Sequence, residues 1–220
     1  MKLLSRKSIT VATAIAVLGG LSIAAAPSQA ANPAAGGPSA HAARAPHAAP
    51  VALTPGDLSK LPLTNRHLTN QERANLAVVL HAYHVAEGDS LDADAFANSF
   101  AQDGVFNDMV AGQAYQGKAL ADVPRYMVGL FPDVHRELKR ITVSGDVVSI
   151  ELAIQGTFEG PLESPAGTVE PNGARIDVPT ADFWYLHDGK VEKFNCFVGY
   201  STMYAQMGVN FDWASAVNKH

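Results

Sequence analysis

The spacing of hydrophobic positions changes near residue 134, from the helical period to an alternation of two. Before that point, Leu76, Val79, Leu80 and Tyr83 recur as one helix face does. Thr69 or Asn70, followed by Glu72, supplies the start signal, because a short polar side chain and a nearby acid satisfy the first free amides. Gly88-Asp89 stops this helix. A second helix is expected over residues 92–100, with Phe96 and Phe100 on one face, and Asp103-Gly104 then reads as a turn. Val105-Phe106-Asn107-Asp108 reads as a short strand. After Gln116-Gly117, a third helix over residues 118–129 turns Leu120, Val123, Met127 and Leu130 inward and closes at Phe131-Pro132-Asp133.

Beyond it, strands are expected over residues 134–143, 147–158, 175–187 and 191–200. In the second of these, Val148, Ile150, Leu152 and Ile154 alternate with Ser149, Glu151 and Gln155, which marks a half-buried strand. Ser144-Gly145-Asp146 and Asp188-Gly189 are turn signals, the latter a strong one for a hairpin. Residues 159–173, rich in Pro and Gly, form a long hairpin loop, and a short helix over 201–207 precedes Gly208. Helices followed by a four-stranded antiparallel meander predict an α+β fold. A sheet curled around those helices would enclose an apolar space, the default ligand site.

The first third of the chain has another composition. Lys2, Arg6 and Lys7 precede an apolar stretch over residues 9–26, and Ser28-Gln29-Ala30 is a small-x-small site. Together they read as a secretory signal peptide over residues 1–30, cleaved after Ala30, so export from the cell is expected with no membrane span left. A retained anchor is the alternative, since about 18 apolar residues span a bilayer. Residues 31–67 read as a disordered Ala/Pro/Gly-rich spacer with little to bury, residues 68–213 as the folded domain and 214–220 as a tail. The formal charge of −5, with no basic cluster outside the signal peptide, argues against nucleic acid as a partner. Cys196 is the single cysteine; it lies in an apolar run and reads as a buried, inert thiol.

Four short motifs carry a resemblance. They are Phe131-Pro132-Asp133-Val134, Gly156-Thr157-Phe158-Glu159-Gly160, Asp182-Phe183-Trp184 and Asp188-Gly189-Lys190-Val191. In this order and spacing the chain resembles the SnoaL-like branch of the nuclear transport factor 2-like superfamily, over about residues 70–209. The resemblance implies a cone-shaped α+β fold, with N-terminal helices packed on a curved antiparallel sheet. It also implies kinship with ketosteroid isomerases and polyketide cyclases, and pairing into homodimers. The fold alone does not choose among isomerases, hydrolases, cyclases and binders.

Asp182 is the most informative residue. In a strand it shares a face with Ile176, Val178, Trp184 and Leu186. Burial disfavours its charged form, and a neutral acid there donates a hydrogen bond to a ligand oxygen, as the resemblance to the isomerases implies. The plain alternative is a structural carboxylate satisfied by its neighbours. The resemblance implies a general base at Asp108; a turn-capping Asp is the alternative. Tyr83 stands nearest to the isomerases' phenolic donor. Phe106, Met127, Trp184, Asn195 and His84 are expected to bind the ligand. His81, His84 and Glu87 lie on one helix, but no third ligand marks a metal site, and neither metal nor cofactor is expected. The resemblance to the cyclases and epoxide hydrolases implies a late-strand catalytic Asp on or beside Gly199, and the chain departs from it, with no carboxylate between Lys193 and Gln206. Phe183, Trp184, Tyr185, Phe194 and Phe197 occupy both faces of the sheet, and the outer rings favour a second copy as cover. Three readings follow: proton-transfer isomerisation or cyclisation of a hydrophobic, carbonyl-containing small molecule, non-catalytic binding of one, or an interaction module whose pocket is vestigial.

Overall fold

The computed structural model describes residues 53–209. The expected signal peptide, the spacer up to residue 52 and the 214–220 tail lie outside the described residues. The elements are α1 (Pro55–Lys60), α2 (Asn70–His84), α3 (Ala93–Asn98), β1 (Phe100–Asp108), β2 (Gln113–Gln116), α4 (Asp122–Leu130), β3 (His135–Ser144), β4 (Val147–Thr157), β5 (Leu162–Ser164), β6 (Gly167–Val169), β7 (Arg175–His187), β8 (Lys190–Val198) and α5 (Tyr200–Gln206). Among the described residues no helix is long and apolar enough to cross a membrane.

The start of α2 follows the expected chemistry. The Thr69 hydroxyl accepts from the Glu72 amide at 3.2 Å, and the Glu72 carboxylate accepts from the Thr69 amide at 2.8 Å. The other Glu72 oxygen accepts from the Gly145 amide at 3.0 Å and so ties the helix to the β3–β4 turn. Thr69→Ala is expected to cost about 1 kcal/mol. Thermal unfolding should show a midpoint lower by about 2–4 °C; an unchanged midpoint would mean the cap contributes nothing.

A six-stranded sheet runs in the order β2-β1-β8-β7-β4-β3, where a four-stranded meander is expected from periodicity. The added strands are β1 and β2, and β1 lies parallel to β8. β1 begins at Phe100, and Asp103-Gly104 is an irregularity within it, not a turn. A side chain at Gly104 would place Cβ 2.6 Å from the Val191 carbonyl oxygen, so glycine there permits the close approach of β8. Inside the expected long loop, β5 and β6 pair as a separate small hairpin.

The spacer expected through residue 67 is also ordered at its end. Thr54 caps α1, and Leu63 bridges to Ile141, with Thr64 donating to the Ile141 carbonyl at 2.9 Å. Leu58, Leu63 and Leu68 are buried, which gives this segment the apolar anchors to offset its ordering entropy. It also covers part of the free edge of β3.

The helices lie over the inner face of the sheet. β7 shows the alternation best: Ile176, Val178, Thr180, Asp182, Trp184 and Leu186 are all buried on that face. The strand therefore carries a carboxyl group into the core.

Candidate active site

Strand register builds the site. Cys196 on β8 pairs with Asp108 on β1 on one side and with Asp182 on β7 on the other. The three side chains thus form one row across neighbouring strands. Two strand spacings set the Cα atoms of the carboxyl residues about 10 Å apart. Both Asp108 and Asp182 are buried and both line the same cavity.

Asp182 sits at the end of a donor chain. The Trp184 indole N–H donates to the Tyr83 hydroxyl at 3.0 Å, and that hydroxyl donates to Asp182 Oδ2 at 2.7 Å. Asp182 Oδ1 is shut off from water and has no hydrogen-bond partner. Burial pushes this carboxyl up to about 6, although the Tyr83 hydrogen bond, the adjacent Cys196 thiol and the Arg136 charge pull the other way. Burial and the neighbouring carboxyl push the Tyr83 phenol well above its ordinary range, so it stays a neutral donor. The Cys196 thiol is likewise pushed up, by burial first and by Asp182 next, which makes it inert.

Arg136 supplies the nearest cation. Its guanidinium lies 5.5 Å from the centre of the Tyr83 ring, with Nη1 3.3 Å from Glu87 and 3.2 Å from the Ala86 carbonyl. Glu87 also accepts twice from the Arg136 amide at 3.1 Å. It is thereby committed to this pair and not to His81 or His84.

Asp108 is held differently. Its Oδ1 accepts from the Ala111 amide at 3.0 Å, and its Oδ2 accepts from the Tyr200 hydroxyl. A carboxylate has about four lone-pair directions, so accepting sites remain. Asp108 is therefore both the turn cap and a cavity carboxylate.

The cavity has a volume of about 90 Å³, below the roughly 300–1,000 Å³ of drug-sized sites. Its walls come from helices α2, α3, α4 and α5 and from strands β1, β2, β3, β4, β7 and β8, and are mainly apolar, with Phe96, Phe106, Met127, Ile154, Phe194 and Val198 among them. Tyr83, Asp108, Asp182, Phe106 and Met127 thus come together. Trp184 is fully buried behind this wall, stacked on Phe194 at 3.6 Å between centroids, and acts through Tyr83. Trp184 is thus no direct ligand contact, and two further expected contacts fall elsewhere. His84 is exposed at the end of α2, where Ser90 Oγ lies 3.3 Å from its ring. Asn195 points to the outer face of the sheet, between inward Phe194 and Cys196, and its side chain accepts from Asn107 at 2.8 Å. Sequence reasoning missed Arg136 and Tyr126 as cavity residues, which Tyr200 joins from the end of the last expected strand. Only Tyr126 had a signal, its spacing of three and one from the inward Val123 and Met127.

A family model of the SnoaL-like domain matches residues 79–194, more than half of the chain. The chain belongs to the SnoaL-like family. Solved structures agree on the fold. A protein designated a SnoaL-like polyketide cyclase, from Jannaschia sp. CCS1, superposes with a TM-score of 0.57 at 21% identity, covering 67% of this chain and 100% of that one. IdmH from Streptomyces antibioticus, designated a polyketide cyclase, gives 0.52 at 20% identity over 61% of this chain and 99% of its own. A hypothetical protein with a ketosteroid isomerase-like fold from Catenulispora acidiphila, solved with trimethylamine, gives 0.51 at 20% identity over 60% and 93%. No protein of curated function matches in sequence.

Gly199 of this SnoaL-like domain is sterically closed to a side chain. A Cβ there would lie 2.9 Å from the Pro179 carbonyl oxygen. The position has no room for a side chain, and Tyr200 after it reaches into the cavity instead.

Proposed function

We propose that the chain is a secreted SnoaL-like isomerase or cyclase that moves a proton on a hydrophobic, carbonyl-bearing small molecule. The row Asp108–Cys196–Asp182, two carboxyl groups on one cavity with one of them buried toward neutrality, carries this reading. Neutral Asp182 donates to the carbonyl oxygen while Tyr83 and Trp184 hold it from behind. The Asp108 carboxylate takes a proton from the carbon beside the carbonyl and returns it at another carbon, so no proton is gained or lost. A small test reaction is the conversion of cyclohex-3-enone to cyclohex-2-enone, followed by the ultraviolet absorbance of the conjugated product. Asp108→Asn is expected to slow it by about 10²-fold or more; an unchanged rate excludes Asp108 as base.

Donation requires the protonated acid, so pH acts with a definite sign. With Asp182 at about 6, affinity for a neutral ketone is expected to be flat at lower pH. Above that value it falls about tenfold per pH unit. Titration with cyclohexanone from pH 5 to 8 by NMR checks this, and a flat profile throughout removes Asp182 from the role.

The filled position at Gly199 favours a second reading, a non-catalytic binder. In that case cyclohexanone binds and no enone is isomerised. Export rests on residues 1–30, and intact mass of the secreted product tests cleavage after Ala30. Phe183 and Phe197, 36% and 39% exposed and meeting edge-to-face at 5.8 Å on the outer face of the sheet, support pairing of two copies. Sedimentation of the purified chain tests it.

A further inference from the structure

Among the described residues, two buried side-chain polar atoms lack any hydrogen-bond partner: Asp182 Oδ1 and the Tyr126 hydroxyl. Both belong to residues lining the one cavity, Asp182 on β7 and Tyr126 on α4. Each orphan is costly, since a buried polar group without a partner forfeits its hydration. Phenylalanine at position 126 would avoid the cost and keep the ring. Neither atom is open to water, so solvent does not serve them as the walls now stand. Burial, with Tyr204 and Tyr115 nearby, pushes the Tyr126 phenol up, so it remains a neutral O–H able to donate.

The surroundings say what would satisfy them. Val123, Tyr126 and Met127 form one face of α4 toward the cavity, at the i, i+3, i+4 spacing. The cavity that both residues line has apolar walls from Phe96, Phe106, Ile154 and Phe194 as well. Half-buried Met127 is the adaptable part of this wall, because its unbranched side chain has several rotamers. A ligand parting α4 slightly from the sheet would reach both orphans at once.

We propose that the cavity takes a small molecule with two oxygen functions separated by an apolar body, the first received by Asp182 and the second by the Tyr126 hydroxyl. The inference rests on the reading of Asp182 as the carbonyl donor and adds the second pole, which sets the substrate class as a diketone or hydroxyketone.

Three probes test it on the full chain at pH 5: cyclohexanone, cyclohexane-1,4-dione and 4-(hydroxymethyl)cyclohexanone. At least one of the two-oxygen probes is expected to bind roughly five- to tenfold more tightly than cyclohexanone. Tyr126→Phe should erase that advantage. The same variant should melt no lower than wild type, since its hydroxyl has no partner to lose. Equal affinity of wild type and Tyr126→Phe for both two-oxygen probes overturns the second pole, and so does a lowered melting midpoint. Asp182→Ala separates the two layers. If it leaves all three affinities unchanged, the carbonyl reading of Asp182 fails whatever Tyr126 does. If it weakens all three alike while Tyr126→Phe weakens none, only the second pole fails.

Discussion

Gly160→Ala is expected to lower the midpoint of thermal unfolding by about 6–12 °C. A Cβ at position 160 would lie 1.7 Å from the Gly129 carbonyl oxygen and 2.8 Å from its carbon. Both atoms are backbone, so no side-chain rotation relieves the clash. The segment cannot simply swing away, because the Glu159 and Gly160 amides both donate to the Leu130 carbonyl, at 3.0 and 3.1 Å. Phe131 and Phe158 pack at 6.1 Å between centroids just beside this junction. Overpacking of this kind costs about 3 kcal/mol at the upper end of its usual range. About 2–4 °C follows per kcal/mol for a domain of this size. The same junction anchors the end of α4, the helix bearing Tyr126 and Met127, so ligand affinity should weaken with it. Gly129→Ala is the control: a Cβ there meets nothing within 4 Å, and a helical site should gain slightly or stay level. Equal melting of wild type and Gly160→Ala would mean that the close approach does not exist in solution.

What could be read from the sequence followed from how local each signal is. β7 was legible residue by residue, since inner and outer positions alternate without a break from Arg175 to His187. That alternation placed Asp182 inside. Asp188 and Gly189, with φ of 47° and 73°, supply the positive dihedrals that a tight hairpin needs, which is why the pair was a sound turn signal. β1 was not legible in full. Its parallel partner β8 lies some ninety residues away, and Asp103-Gly104 carries the composition of a turn while serving as a strand irregularity. His84 was misplaced because α2 buries Leu76, Ala77, Val78, Val79, Ala82 and Tyr83, too wide an arc for spacing to name its outer face. Asn195 was readable: the alternation that turns Phe194 and Cys196 inward turns it out. Arg136 carried no local signal, and Tyr200 only its place on the last expected strand. Arg136 reaches the cavity because Glu87 holds it there, and Tyr200 because the chain turns at Gly199, contacts that exist only once α2, β3 and β7 are assembled.

Asp182→Asn should stabilise the protein at pH 7 and impair it as a catalyst. The folded carboxyl titrates at about 6, against a value near 3.8 when free, because burial disfavours the charge. The folded state therefore holds the proton more tightly than the unfolded state. Its contribution to stability is fully present below about pH 4 and is lost as pH rises through about 6. Two pKa units correspond to roughly 3 kcal/mol. Asparagine resembles the neutral acid and escapes that loss. Its carbonyl can still accept from Tyr83. Wild type and Asp182→Asn should thus melt together at pH 4, and the variant should melt about 6–12 °C higher at pH 7. Shifts in other carboxylates, such as the raised Glu87 and the lowered Glu72, are common to both chains and cancel in the difference. In the enone assay the amide keeps a donor but a weaker one, and loss of one donor to a developing oxyanion costs about 10²-fold in rate. A variant that gains no stability at pH 7 would show that the carboxyl is not forced toward neutrality. Gain of stability together with an unchanged rate would leave a buried acid with no part in the chemistry.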